Sequence, residues 1–352
     1  MKKILITGTA GFIGFHLVER LLKDADFDIV GLDIINDYYD INLKYNRLDY
    51  HGINAVKLKI GEEVFSSLHS NYRFVRADLA DLNFIVAFMI KENFDFVVNL
   101  AAQAGVRYSI DNPTLYVHSN INGFLSILEG CRQSSVKHLL YASTSSVYGL
   151  NKEMPLSERQ NTDHPISFYS ASKKSNELMA HCYSHLYNVP TTGLRFFTVY
   201  GPWGRPDMAL FKFTSSILEH KPIQVYNHGK MTRDFTYVSD VVESIVRLIE
   251  IPAESSYDWD PEHPVGCFSS APYRILNIGN NSPVQLNSYI EVLEICLEKK
   301  AVKEYLEMQA GDVEITHADT RELESLIGYL PNTSVLEGIG RFVKWYKNYY
   351  AV

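Results

Sequence analysis

Two stretches near the middle of the chain hold the residue types of an acid–base centre. The first is the hydroxyl-rich end of an apolar run, His138-Leu139-Leu140-Tyr141-Ala142 followed by Ser143, Thr144, Ser145 and Ser146. The second is Phe168-Tyr169-Ser170-Ala171-Ser172-Lys173. Tyr169 and Lys173 are four apart, so on a helix they share one face about a turn apart. An ammonium beside a phenol favours the phenolate and draws the phenol pKa toward working pH. A hydroxyl such as Thr144 can hydrogen-bond the same phenol. Together these groups make a general base able to take a proton from a substrate alcohol. The same spacing also occurs on many exposed helix faces, so the rest of the chain must decide.

The elements that would position these residues start at the N-terminus. Lys3–Thr7 reads as a short apolar strand, followed by Gly8-Thr9-Ala10-Gly11-Phe12-Ile13-Gly14. A helix is predicted from about Gly11 to Lys23, with Phe12, Ile13, Leu17 and Leu21 at helical spacing. A second strand, Ile29–Leu32, ends at Asp33. Strand, glycine turn, helix, strand and acid in that order open a dinucleotide-binding unit. Glycines let the backbone approach a pyrophosphate, and the helix N-terminus offers free amides. Gly8, Gly11, Phe12, Ile13 and Gly14 are therefore expected at the phosphates. Asp33 can accept from both ribose hydroxyls and would repel a 2′-phosphate, which favours NAD over NADP.

The alternation continues. Tyr72–Val75 is a strand leading to Asp78 and Leu79, where a side chain can meet an adenine amino group. Asp81–Glu92 is helical, and the strand Phe94–Leu100 ends in Ala101 and Ala102, small enough for a flat ring to lie against the backbone. Leu115–Gln133 and Phe168–Tyr187 read as long helices and Thr191–Phe197 as a strand. Repeated strand–helix units predict an α/β fold with a doubly wound parallel sheet, which binds ligands beyond the carboxyl ends of its strands. After about residue 200, prolines and aromatics become common. The expected organisation is a dinucleotide-binding Rossmann domain over 1–200, with a later return near 230–250, and a smaller substrate-binding region over 201–352. In that region Ile251–Tyr273 reads as a long loop, Arg274–Ile278 as a strand, and Leu286–Lys299 and Val335–Tyr349 as helices.

Composition narrows the partners. The chain has 352 residues, 46% of them hydrophobic, and a net charge of −8 with no basic block. That argues against nucleic acid as the main partner. Cys131, Cys182, Cys267 and Cys296 are scattered, which suggests neither zinc nor a disulfide framework. The first residues turn to glycine too soon for a signal peptide, and no apolar run is long enough to span a bilayer. A cytoplasmic protein without a membrane partner is expected.

With Gly8-x-x-Gly11-x-x-Gly14 and Tyr169-x-x-x-Lys173, the chain resembles the extended short-chain dehydrogenases/reductases. Within them it is most similar to the nucleotide-sugar 4-epimerases that act on UDP-glucuronate. The resemblance rests on Asp37-Tyr38-Tyr39-Asp40, Tyr141–Gly149, Gly201–Ala209, Arg233–Val238 and Gln309–Asp312. It implies a cycle at one carbon, in which the 4-hydroxyl is oxidised by bound NAD, the 4-keto sugar turns its other face, and the centre is reduced again. Tyr169 would be the base and then the acid. Lys173 would hold the nicotinamide ribose, and Thr144 would complete the triad. Arg233 would bind UDP phosphate and Asp312 the uridine ribose. Thr198 and Arg205 would lie near the sugar carboxylate, with Ser145 and Ser146 holding it near the ketone plane, where its C–C bond overlaps poorly with the carbonyl. Arg107 lies in a second sugar-facing loop. Gln309 stands where galactose-type enzymes carry an Arg, which leaves the second phosphate contact open. The resemblance also implies a homodimer built on the two long helices.

Three rival reactions would each leave a mark in the sequence. UDP-glucuronate decarboxylases carry a Glu two residues after the Thr, and sugar dehydratases an Asp-Glu pair directly after it; here Ser145 and Ser146 stand instead. A 4-epimerase of a neutral or N-acetylated UDP-hexose would favour an apolar residue in place of Arg205.

Overall fold

The structure, a computed structural model, describes all 352 residues. Its strands are β1 (Lys2–Thr7), β2 (Phe27–Asp33), β3 (Glu63–Phe65), β4 (Tyr72–Arg76), β5 (Phe96–Asn99), β6 (His138–Thr144), β7 (Thr191–Phe196), β8 (Thr198–Tyr200), β9 (Ile223–Tyr226), β10 (Thr232–Tyr237), β11 (Tyr273–Ile278), β12 (Pro283–Gln285) and β13 (Lys303–Leu306). Its main helices are α1 (Phe12–Leu21), α2 (Ile41–Tyr50), α3 (Leu82–Glu92), α4 (Tyr108–Asp111), α5 (Pro113–Tyr116), α6 (Gly123–Ser134), α7 (Phe168–Tyr187), α8 (Ala209–Leu218), α9 (Val238–Ile249), α10 (Leu286–Leu297), α11 (Arg321–Ile327) and α12 (Val335–Tyr350).

Eight strands form one sheet in the order β11-β7-β6-β5-β1-β2-β4-β3. All neighbours are parallel except the short edge pair β3 and β4. Parallel strands are covered on both faces, so their sequences run apolar without alternation. The period of two shows instead in which core each residue joins. Ile4 and Ile6 of β1 and Ile29 of β2 enter one core together with Val241, Ile245 and Leu248 of α9. Leu5, Val30 and Leu32 enter the other, with Ile85 and Met89 of α3 and Phe124 and Ile127 of α6. The doubly wound parallel fold expected from the sequence is therefore present.

The chain comes back to this sheet twice. α9 packs on α1, and β11 then joins β7 as a further edge strand. β8, β10 and β12 form a separate small sheet, and β9 pairs with β13.

The helix expected over Leu115–Gln133 is interrupted. A π-helical turn, Val117–Asn122, separates α5 from α6. The wider turn accommodates Asn120, which is buried. Its side chain accepts from the Gln103 amide at 2.8 Å and donates to the Gln103 carbonyl at 3.0 Å and to Ser172 Oγ at 2.9 Å. The π turn thereby ties the loop after β5 to α7.

A buried ion pair joins α7 to the sheet. Glu177 accepts from Arg195 Nε and Nη2, both at 2.9 Å, and from Ser143 Oγ at 2.6 Å. Glu177 is 0% and Arg195 1% exposed. Removing one partner strands a buried charge, which costs about 3–5 kcal/mol. Glu177→Ala should therefore lower the urea-unfolding free energy by about that amount. A loss no larger than that of a surface substitution would show the pair to be idle.

Candidate active site

Every residue nominated from the sequence as a site residue lines one cleft of about 1270 Å³. The cleft opens at the carboxyl ends of β1, β2, β5, β6 and β7, where a doubly wound sheet offers backbone amides and loops.

At one end lies the turn between β1 and α1. Gly8 has φ +79°, a conformation that a side chain disfavours. A Cβ on Gly14 would lie 2.1 Å from the Gly8 carbonyl oxygen, and one on Gly8 would lie 2.8 Å from the Ala101 amide. The turn is packed backbone against backbone, which is why glycines stand there. α1 then begins without a side-chain cap. The amides of Phe12, Ile13 and Gly14 have no acceptor within the helix and face the cleft end on. Asp33 closes β2, its carboxylate oriented by the amides of Ala10 at 3.1 Å and Ile35 at 2.8 Å. Each oxygen keeps acceptor capacity. Free amides, a glycine cradle and an oriented acid fit a dinucleotide with unsubstituted ribose hydroxyls, which is NAD. Leu79, Ala101 and Ala102 line the same end. Asp78 does so too, but its carboxylate already meets His118 Nε2 at 2.9 Å.

At the centre stand Thr144, Tyr169 and Lys173. Ser167 caps α7, taking the Ser170 amide, and the Ser170 hydroxyl returns the bond. This fixes Tyr169 in the first helical turn and Lys173 one turn further in, where it is buried. Tyr169 is half-buried, its ring edge-on to Tyr116 at 6.1 Å. Burial raises the Tyr169 pKa, while the Thr144 hydroxyl and the Arg205 charge pull it down. Burial depresses Lys173 to about 8, with Glu177 opposing. Lys173 is not among the groups that pull the Tyr169 pKa down, so the spacing of the two does not by itself produce a low phenol pKa. Thr144 Oγ1 accepts the Ser146 amide at 3.2 Å. That bond begins a short 3-10 turn, Ser145–Tyr148, which brings Ser145 and Ser146 to the cleft.

The remaining candidates come from the C-terminal half. Thr198 opens β8. Arg205 is not free: Asp207 holds its Nε at 3.0 Å and also takes its Nη2. Arg107 and Asp312, nominated separately, form an ion pair at 2.8 Å, with the Arg107 guanidinium 5.2 Å from the Tyr226 ring centre. Arg233 is tied to the carbonyls of Thr232 and Glu314 at 3.0 Å and of Val313 at 2.6 Å. Burial lowers the Arg233 pKa, Asp312 raises it and the like charge of Arg107 lowers it. The two cations and Asp312 therefore share one part of the cleft. Gln309 does not line the cleft, and its side-chain oxygen is buried without a partner. Sequence reasoning missed Tyr38, Asp207 and Tyr226 as cleft residues. The Arg205-Pro206-Asp207 triplet was the available signal, since a proline between opposite charges holds both on one turn.

A methyl group on Gly14 must push the Gly8 carbonyl aside and deform the cradle. Gly14→Ala is expected to weaken NAD binding at least tenfold by calorimetry. Unchanged affinity would mean that the dinucleotide does not use this turn.

Residues 4–259 match the NAD dependent epimerase/dehydratase family. The chain is 52% identical over 348 residues to "Protein CapI" of Staphylococcus aureus, covering 99% of each. It is 45% identical to "Probable UDP-glucuronate 4-epimerase" of Rhizobium meliloti, covering 99% of this chain and 98% of that one. Among solved structures, it is similar to the UDP-glucuronic acid 4-epimerase of Bacillus cereus in complex with UDP-glucuronic acid and NAD, with a TM-score of 0.83 and 31% identity over 99% of this chain and 100% of that one. With its glycine cradle, oriented acid and Tyr–Lys centre on one sheet edge, the chain belongs to the NAD dependent epimerase/dehydratase family.

Proposed function

We propose that the protein inverts the C4 centre of UDP-glucuronate, interconverting it with UDP-galacturonate. The observation that carries this reading is Arg205, a cation in the same cleft as Tyr169 and near enough for its charge to act on that phenol. A cation there suits a sugar acid, and the relatives named for that substrate agree with it.

When bound, NAD supplies a reversible exchange of electrons with the carbinol carbon. The residues of the chain do the rest. Tyr169 takes the 4-hydroxyl proton and later returns it, with the Thr144 hydroxyl supporting the phenolate. Lys173 lies buried one turn along the same helix, where its ammonium can meet the cofactor ribose. Arg233, with the nearby Arg107, neutralises the diphosphate, and Asp312 accepts from the uridine ribose. Ser145, Ser146 and Thr198 offer hydroxyls to the carboxylate end of the sugar and Arg205 a charge. No Asp or Glu follows Thr144 to assist loss of the carboxylate or of water. Residues 1–200 would then carry mainly the dinucleotide and 201–352 mainly the sugar nucleotide.

The working form would be a homodimer in the cytoplasm. All four cysteines are free, as a reducing compartment favours. No helix is long and apolar enough to cross a membrane. α6 and α7 pack together, and Leu125 and Leu178 on them are exposed, as is Leu115 just before. Leu128 by contrast packs inside. Leu178→Glu should convert a dimer to a monomer in light scattering; a wild-type monomer would overturn the assembly.

Incubation with UDP-glucuronate and NAD should yield UDP-galacturonate without net NADH, read by NMR. Tyr169→Phe should lower kcat by about 10²–10⁴ while NAD still binds. A UDP-pentose product would establish the decarboxylase instead. Turnover of UDP-glucose or UDP-N-acetylglucosamine alone would establish a neutral-sugar epimerase.

A further inference from the structure

The partner that Arg205 holds has a consequence for how the substrate is chosen. Arg205, Pro206, Asp207 and Met208 form a turn closed by the Met208 amide on the Arg205 carbonyl at 3.1 Å. Pro206 at the second position has its φ fixed, so the turn is stiff. Arg205 and Asp207 project from it together. A guanidinium has two edges able to grip a carboxylate with a pair of donors. Asp207 occupies one of them, the Nε–Nη2 edge, with Nε to Oδ1 at 3.0 Å and Nη2 to Oδ2. Nη1 bonds to nothing in the protein, and Arg205 lines the cleft.

Asp207 is held in turn. Tyr38, from the loop between β2 and α2, donates its hydroxyl to Asp207 Oδ2 at 3.1 Å. The Tyr38 ring lies against Tyr108 with centroids 4.9 Å apart, and the Arg205 guanidinium sits 5.9 Å from the Tyr38 ring centre. Burial and the Asp207 charge push the Tyr38 pKa up to about 12, so its proton stays available to donate. Burial raises Asp207, but the Arg205 charge and the two donors outweigh it and keep the acid ionised.

We propose that Asp207 and Tyr38 are positioning residues for sugar-acid recognition: they lock one edge of the Arg205 guanidinium and so present the other, Nη1–Nη2, to the substrate carboxylate. A long, flexible arginine loses much rotamer entropy on ordering. Here that ordering is done before the substrate arrives, and it is useful only to a ligand with a carboxylate at this end. The inference rests on the uronate reading above. It adds that discrimination depends on the three-residue relay rather than on Arg205 alone.

The test compares wild type, Asp207→Asn, Tyr38→Phe, Arg205→Ala and the Arg205→Ala/Asp207→Asn double variant, each as full-length protein with NAD. An asparagine offers one acceptor oxygen to an edge with two donors, so the lock is lost. Asp207→Asn should raise KM for UDP-glucuronate about tenfold, with a smaller change in kcat. Tyr38→Phe should raise it about threefold. The dissociation constant of UDP and the inhibition constant of UDP-glucose should stay within twofold of wild type, which also reports an intact fold. In the Arg205→Ala background, Asp207→Asn should add nothing. A lower KM in Asp207→Asn would make Asp207 a competitor of the substrate and overturn the proposal. So would an equal loss of UDP affinity, or a full effect without Arg205. If wild type turns over UDP-glucuronate and Asp207→Asn matches it, this inference alone fails. If wild type accepts only neutral sugars, the uronate reading fails and takes the relay with it.

Discussion

The buried pair of Glu177 and Arg195 is the constraint on which the site depends. Glu177 lies one turn beyond Lys173 on α7, and Arg195 lies near the end of β7, close before Thr198. The same carboxylate takes the hydroxyl of Ser143, the residue before Thr144. One interaction therefore sets the relative position of α7, β6 and β7, and so of Lys173, Thr144 and Thr198. A hydrophobic replacement of equal volume could stabilise as well or better. It could not fix the register of a helix against two strands by directed bonds. The charge also bears on the chemistry, since Glu177 opposes the burial that depresses Lys173.

Tyr169 lies in a cleft where burial raises its pKa, and the groups that counter burial are Thr144 and Arg205. A hydroxyl donor and a cation placed against a phenol both favour its ionised form, so Thr144 and Arg205 act in the direction that proton removal requires.

Much of this was legible in the sequence because it is local. The glycine turn, Asp33 after β2, the spacing of Tyr169 and Lys173 on α7 and the hydroxyls after β6 each depend on a few neighbouring residues and on the period of the element around them. What was not legible depends on distant parts of the chain meeting. Arg107 and Asp312 looked like two separate ligands and are one ion pair, 205 positions apart. Tyr38 was legible as part of a motif but not as the partner of Asp207, because nothing local shows that the loop after β2 reaches the turn before α8. The π turn in the helix from Pro113 to Ser134 was invisible for another reason. Its cause is the burial of Asn120 between Gln103 and Ser172, a tertiary demand that overrides a regular helical pattern.

The two ends of the cleft differ in how their polar groups are held, and the difference bears on the proposed inversion. Arg233 is bound through its guanidinium to three backbone carbonyls and cannot move without breaking them. Arg107 is set by Asp312 and Tyr226. These guanidiniums are held in place by the protein itself, and on the function proposed above they would face the diphosphate. The end near Tyr169 is lined by the hydroxyls of Thr144, Ser145, Ser146 and Thr198, which can donate or accept and can rotate to a new partner. A sugar that must present both faces to one cofactor needs contacts of that exchangeable kind, with a single fixed charge to keep its carboxylate in view. On that reading, cations held by the protein itself would meet the diphosphate, exchangeable hydroxyls the ring, and the Asp207-braced Arg205 the carboxylate.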